Sequence, residues 1–505
     1  MHRHAMASSS SSSLNHLLFL LLLLTISFSL YNPRSSSAAA AIVDDSNLKH
    51  LHARASRKDS FLLSTHKDSL RVQSLFSRII STAATTTTKT KTKRISTDPP
   101  PDYLQAAGKK QQQQVIATLE SGVSLGSGEY LMDVFIGTPP RHFSLILDTG
   151  SDLNWLQCAP CRDCFPQRGP LYDPNLSSTY RNLTCRDHSC ALVSPPPPDD
   201  DDTSPSPCGR DDDHDRTCQY FYWYGDQSNT TGDLAAEAFT VNLTAGNSHL
   251  QVDGVVFGCG HWNRGLFRGA AGLLGLGRGP LSFASQLRSL YGHHTFSYCL
   301  VDRNSDLLVT SKLVFGGEDD VVRPDIMNYT SFAAAGKDNH PADTFYYVRV
   351  KGVRVGGEPL PVPPESWELA EDGTGGTIID SGTTLTYFVR PAYRAIREAF
   401  ARKVTYPLVE DFPVLNPCYN VSGVAGEEVE MPGFGLEFAD GAVWDFPAEN
   451  YFIRLEPEAI MCLAFLETPR SSLSIIGNYQ QQNFRILYDN KRSRLGFAPT
   501  KCSEV

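Results

Sequence analysis

Two short segments, Asp148-Thr149-Gly150-Ser151 and Asp380-Ser381-Gly382-Thr383, each place a carboxylate on a glycine turn directly after an apolar run. The preceding residues, Phe143-Ser144-Leu145-Ile146-Leu147 and Thr377-Ile378-Ile379, are short, branched and free of charge, the pattern of buried strands. Each Asp therefore stands where a strand ends. One Asp-Thr-Gly would be an ordinary turn, because Asp and Gly both favour turns for local reasons. Two of them, 380 − 148 = 232 positions apart and each with a hydroxyl three residues on (Ser151, Thr383), constrain the fold far more. A second echo accompanies them. Leu273-Leu274-Gly275 closes 275 − 148 = 127 positions beyond the first Asp, and Ile475-Ile476-Gly477 closes 477 − 380 = 97 beyond the second. Strand, acidic turn and apolar pair ending in glycine thus occur twice, which predicts a diverged internal duplication.

At 505 residues the chain has room for two lobes plus accessory segments. From Ser127 onward, short alternating strands with Gly and Pro turns predict a mainly β protein. One clear helix is expected over 391–400, with Pro391 in its first turn. Composition divides the chain into a signal peptide and cleavage region (1–41), a basic prosegment and linker (42–120), an N-terminal lobe (121–330) and a C-terminal lobe (331–505). The first rests on His2-Arg3-His4, the apolar stretch 17–26 and the small residues 35–41, the layout of a secretory signal. No later segment reaches the roughly 20 apolar residues of a membrane span. Within the leader, 69–80 repeats apolar residues at helical spacing and predicts one amphipathic helix able to dock.

Charge and cysteine follow the same partition. Residues 1–118 carry 15 Lys and Arg against 6 Asp and Glu, net +9, so with −10 overall the remainder holds −10 − 9 = −19. An acidic body argues against nucleic-acid binding, which depends on neutralising phosphates. Opposite signs in one chain suggest that the leader docks on the body. None of the twelve Cys precedes Cys158, and seven fall between Cys158 and Cys218, a densely cross-linked insertion. The spacing Cys158-x-x-Cys161-x-x-Cys164 is compatible with zinc, but an exported chain favours disulfides. The run Asp199–Asp202 lacks the alternating ligands and glycine of a calcium loop and reads as solvated. Neither a metal nor an organic cofactor is therefore expected.

If the two strand-end carboxylates meet between lobes, they cannot both ionise cheaply and must share one proton. Such a pair can polarise a water: the ionised member takes its proton while the protonated member activates a carbonyl oxygen, with no covalent intermediate. The parts of metal-dependent proteolysis (His-Glu-x-x-His) and of a phosphate-binding P-loop are missing from the sequence.

On the residues quoted, together with Tyr224-Gly225-Asp226 and the Cys-rich insertion, residues 120–505 resemble the pepsin-like aspartic endopeptidases, specifically their nepenthesin-type plant members. That family is itself the usual illustration of a proton-sharing carboxylate pair. The resemblance implies an all-β, bilobal fold with the cleft between two β-barrel-like lobes and Asp148 and Asp380 as the catalytic dyad. Ser151 and Thr383 would support the dyad, with Gly150 and Gly382 in its turns. Tyr224, Gly225 and Asp226 would form a flap over substrate, with Trp155 behind the tyrosine. By the same analogy the bridges would join Cys158 to Cys161, Cys164 to Cys259, Cys185 to Cys218, Cys190 to Cys208, Cys299 to Cys502 and Cys418 to Cys462.

Six Asn-x-Ser/Thr sequons, at Asn175, Asn182, Asn229, Asn242, Asn328 and Asn420, suit an exported glycoprotein. The reading as a whole is a secreted, monomeric proenzyme, acting on polypeptides at acidic pH and silenced by its own prosegment. Its destination would be the cell exterior, with the vacuole or another compartment as the alternative. The rival reading is a non-catalytic binder on the same fold, resembling plant inhibitors of glycoside hydrolases.

Overall fold

The computed structural model describes residues 65, 67, 68, 71, 72 and 75, and 114–505 except 195–207, 209–214, 225–227, 244–248, 266, 292–294, 307, 317–325, 334–340, 372, 411, 426–427, 458 and 469–472. The expected signal segment, the acid run 199–202 and the flap residues Gly225 and Asp226 lie outside the described residues.

Strands dominate, as the alternating texture predicts. Arg141–Asp148 is buried from Phe143 onward and pairs in parallel with Gly272–Gly275, setting Asp148 opposite Gly275. Thr377–Ile379 repeats the arrangement in the second half, in parallel with Ser474–Ile476. In each half a further strand crosses antiparallel to that partner, at Trp155↔Leu273 and at Tyr387↔Ile475. The duplicated sequence signature is thus a duplicated supersecondary unit.

One antiparallel sheet runs through both halves, in the order Val115–Ser121, Ser311–Phe315, Thr295–Cys299, Phe484–Asp489, Arg494–Pro499 and Asn328–Ala333. Its centre is the pairing of Thr295–Cys299 with Phe484–Asp489, where Phe296 stacks on Tyr488 at 4.5 Å between ring centroids. Burial of such aromatic area stabilises the join between the halves. The expected helix forms over Arg390–Lys403, with Pro391 in its first turn and Ala392, Ile396, Ala399 and Phe400 buried on one stripe.

Six disulfides form, and four differ from the pairing the resemblance implied. Cys299–Cys502 and Cys418–Cys462 are as expected. Cys158 bonds Cys259 instead of Cys161, because Trp155–Gln157 pairs in parallel with the strand carrying Cys259 and brings the two Cα atoms to 5.4 Å. Cys161 and Cys164, left in the adjoining loop, close on each other rather than Cys164 on Cys259. The bridge Thr184↔Thr217 sets Cys185 beside Arg216 and Cys218 beside Leu183, so Cys185 and Cys218 do not face one another. Cys190, in the turn His188–Leu192, bonds Cys218, and Cys185 takes Cys208. Of the sequon asparagines, Asn175, Asn182, Asn328 and Asn420 are exposed, and Asn229 and Asn242 are half-buried in one long strand.

Candidate active site

Each acidic turn closes on itself before it meets the other. The Asp148 Oδ1 atom accepts from the Gly150 N–H at 2.9 Å, and Asp380 Oδ1 accepts from Gly382 N–H at 3.0 Å. The outer oxygens accept from the hydroxyls three residues on: Ser151 donates to Asp148 Oδ2, and Thr383 to Asp380 Oδ2 at 2.5 Å. The recurring hydroxyl at that spacing is therefore hydrogen-bonded to the carboxylate of its own turn in both halves.

The turns are then tied across the lobes. Ser381 N–H donates to Thr149 Oγ1 at 2.9 Å, Thr149 N–H donates to Ser381 Oγ at 3.1 Å, and Ser381 Oγ donates to the Leu147 carbonyl at 2.9 Å. Glycine is required where the turns touch. A Cβ at Gly382 would lie 2.4 Å from Asp148 Oδ1, and one at Gly150 would lie 2.8 Å from Asp380 Oδ1. Both carboxylates are fully buried. Burial pushes the Asp380 carboxyl up, Arg71 opposes that, and the nearby Asp148 charge adds to it, leaving Asp380 above the usual range.

A basic side chain occupies the space between them. The helical residues 65, 67, 68, 71, 72 and 75 include Arg71, whose Nη2 lies 2.5 Å from Asp148 Oδ1 and 3.1 Å from Asp380 Oδ2, while its Nε lies 3.2 Å from Thr383 Oγ1. One turn earlier, Lys67 pairs with Glu129, and its ammonium stands 5.8 Å from the Phe267 ring centroid. Asp68 accepts from the N–H groups of Thr384 and Leu385 at 2.9 and 2.8 Å. Val72 and Leu75 are buried against Phe345, Tyr347, Ile378 and Leu385. Sequence reasoning set this helix over 69–80 from its apolar period alone. Its polar anchors begin earlier, at Lys67 and Asp68, so a pattern built on apolar spacing missed those two, and of 69–80 only 71, 72 and 75 are among the described residues.

Tyr224 ends the strand pair Gln219–Trp223 and Asn229–Leu243. It is buried, and its hydroxyl accepts from Trp155 Nε1 at 2.7 Å. Tyrosine and tryptophan thus meet as the resemblance implied. The run Gly122-Val123-Ser124-Leu125-Gly126 has the spacing of a serine-nucleophile elbow. It forms a 3-10 turn with Ser124 exposed, not the strand-to-helix turn that chemistry needs. Among the described residues, the one cluster with metal-ligand spacing is Cys185, Cys190 and Cys208, and all three are in disulfides.

Two β halves sharing a sheet and meeting at paired acidic turns define the bilobal pepsin-like fold. Residues 130–317 match the family described as Xylanase inhibitor N-terminal, and residues 345–499 match Xylanase inhibitor C-terminal. Among curated proteins, Aspartyl protease family protein 2 of Arabidopsis thaliana is 38% identical, covering 90% of this chain and 85% of its own length. Aspartic proteinase nepenthesin-2 of Nepenthes gracilis is also 38% identical, covering 76% of this chain and 80% of its own. The solved structure of edgp superposes with a TM-score of 0.63 at 20% identity over 79% of this chain and 97% of its own. Basic 7S globulin from soybean gives 0.58 at 21%, over 78% and 99%. At such identities these two establish the fold alone. The chain belongs to the plant pepsin-like aspartic proteases, and its activity is aspartic-type peptide hydrolysis.

Proposed function

We infer that the chain is an exported proenzyme whose mature form cleaves peptide bonds with Asp148 and Asp380. The observation that carries this reading is the pair of buried carboxylates, each fixed by its own hydroxyl and turn N–H, in turns that approach so closely that neither glycine tolerates a Cβ. With Arg71 withdrawn, two buried carboxylates in such closely apposed turns hold one proton between them. Water takes the place of the guanidinium. The ionised carboxylate accepts a proton from that water as its oxygen attacks the peptide carbonyl carbon, while the protonated carboxyl donates to the carbonyl oxygen. A gem-diol results. The carboxyl that took the water's proton then passes it to the amide nitrogen while the other carboxylate takes a proton from a gem-diol hydroxyl, so that the C–N bond breaks, the acid and amine products form and the pair is again singly protonated.

Arg71 supports the proenzyme part of the reading. It pairs with both carboxylates and fills the space an attacking water would need, so a chain retaining this helix is latent. The basic leader and acidic body give that helix a long-range attraction as well. The inhibitor wording of the matching family keeps the non-catalytic binder as the rival, and one assay separates them. Processed wild-type protein is expected to digest casein at acidic pH, and Asp148→Asn or Asp380→Asn to slow it by about a thousandfold. Digestion that survives either substitution would sink the dyad assignment, and no digestion by wild type would favour the binder.

A further inference from the structure

We propose that Asn229 carries an N-linked glycan whose first sugars lie along Trp223 and Trp262, so that the outer face of the three strands beside Tyr224 is covered by the chain's own carbohydrate. This rests on the reading of the chain as an exported protein. The strands are Gln219–Trp223, Asn229–Leu243 and His249–Arg264, paired antiparallel in that order. Three successive rows cross them: Trp223↔Asn229↔Arg264, Tyr222↔Thr230↔Asn263 and Phe221↔Thr231↔Trp262. Residues within a row share a face of the sheet, and successive rows alternate between faces.

The middle row faces inward. Thr230 and Asn263 are buried, Thr230 Oγ1 donates to Asn263 Oδ1 at 2.7 Å, and Tyr222 packs on Tyr224 at 4.9 Å between ring centroids. The rows on either side of it therefore point away from the core. They carry two exposed indoles, Trp223 at 49% and Trp262 at 38%, whereas the other three tryptophans, Trp155, Trp367 and Trp444, are buried. Large aromatic surface left in water calls for something to cover it. Asn229 stands in the middle of this patch, with Trp223 directly beside it on one strand and Trp262 diagonally across on the other, about 7 Å away by sheet geometry. It opens the sequon Asn229-Thr230-Thr231, and Thr231 lies on the same outer face.

The occupant follows from that position. In glycan transfer the Asn229 Nδ2 atom gives up one hydrogen as a proton and bonds the anomeric carbon of an N-acetylglucosamine. The bond from that carbon to the pyrophosphate of a lipid-linked oligosaccharide breaks, and the lipid pyrophosphate leaves with the electron pair. The C–H groups on the apolar side of the sugar ring then settle on the electron-rich face of an indole, while its hydroxyls stay in water. Beside the patch, Arg264 pairs with Asp163, and the Arg162 guanidinium stands 4.6 Å from the Trp262 ring centroid, so both cations are engaged within the chain. A neutral sugar suits such a surface better than an ionic partner does. Asn242, 242 − 229 = 13 residues along the same strand, opens another sequon but has His249 opposite it and no tryptophan in its row, which makes it a control.

The test uses the full chain secreted from a eukaryotic host, with occupancy of each sequon read by peptide mass spectrometry. Melting temperature and acrylamide quenching of tryptophan fluorescence are measured for wild type, Asn229→Gln, Thr231→Val, Asn242→Gln, Trp223→Ala and Trp223→Ala combined with Asn229→Gln. Asn229 is expected to be glycosylated. Loss of its glycan through either Asn229→Gln or Thr231→Val should lower the melting temperature by about 2 °C and increase quenching, and Asn242→Gln should leave quenching as in wild type. With Trp223→Ala already in place, Asn229→Gln should add little, because sugar and indole form one contact. Thr231→Val carries the test if Asn229→Gln fails to fold. An unmodified Asn229 beside a modified Asn175 or Asn182, or strictly additive effects in the double variant, would overturn the proposal. Quenching that falls as protein concentration rises, with or without the glycan, would assign the face to a second copy of the chain and overturn it as well. No glycan at any of the six sequons would instead overturn the export reading, and the proposal with it.

Discussion

The Thr383 hydroxyl shows how much of the chemistry is held by single atoms. It donates to Asp380 Oδ2, and a hydrogen bond to the ionised form lowers a carboxyl's pKa, opposing the rise that burial and Asp148 impose. In the dyad mechanism the shared proton is lost as pH rises, ending activity on the alkaline side. Thr383→Val removes the donor at nearly constant volume, so Asp380 keeps its proton to higher pH. The alkaline limb of kcat/KM should then move up by about one pH unit, while kcat falls about tenfold from lost orientation. A limb that stays put or moves down would show that Asp380 is not the proton holder. The pairing of each Asp with a hydroxyl three residues on was legible in the sequence because it is local. The exchange of hydrogen bonds between Thr149 and Ser381 was not, because the two residues stand 232 positions apart and meet only where the two acidic turns meet.

At the scale of elements, the helical residues Lys67, Asp68 and Arg71 touch both halves, and two of their contacts titrate in opposite senses. Glu129 is pushed up by burial but pulled lower overall by Lys67 and Ser127, and rests below the usual carboxylate range. Without Lys67 burial alone would raise it, so this anchor is present above the undocked pKa and weakens as pH falls toward the docked one. Asp68 works against release. Burial raises it to about 7, so protonation favours its docked form, and its contribution grows as pH falls from about 7 toward 3.8. Leader-containing Arg71→Ala and Glu129→Gln chains should therefore hydrolyse peptide at neutral pH faster than the leader-containing wild type. Asp68→Asn, lacking the opposing contribution, should release its leader over a narrower pH range. Gel-resolved processing alongside peptide hydrolysis reads both, and wild-type latency in Arg71→Ala would remove the helix from the mechanism. The charge split signalled a docking leader, but an i, i+4 pair of cations cannot reveal its targets until the acidic turns are placed in space.

Across the whole molecule, duplication was the most legible property. Two acidic turns and two apolar-glycine segments, read as sequence, became two parallel strand pairs with matching registers. The disulfide framework was less legible, since Cys158 and Cys259 are 101 residues apart and only parallel pairing makes them neighbours. The central claim is that two lobes exist to bring Asp148 and Asp380 around one proton and one water. Its most direct test is kcat/KM for one synthetic peptide across the pH range, for processed wild type and Asp380→Asn side by side. The account predicts wild-type cleavage at acidic pH that disappears as the shared proton is lost, and an Asp380→Asn rate lower by about a thousandfold throughout. A wild-type rate that persists or rises into the alkaline range, or an Asp380→Asn profile that overlays it, would contradict the account.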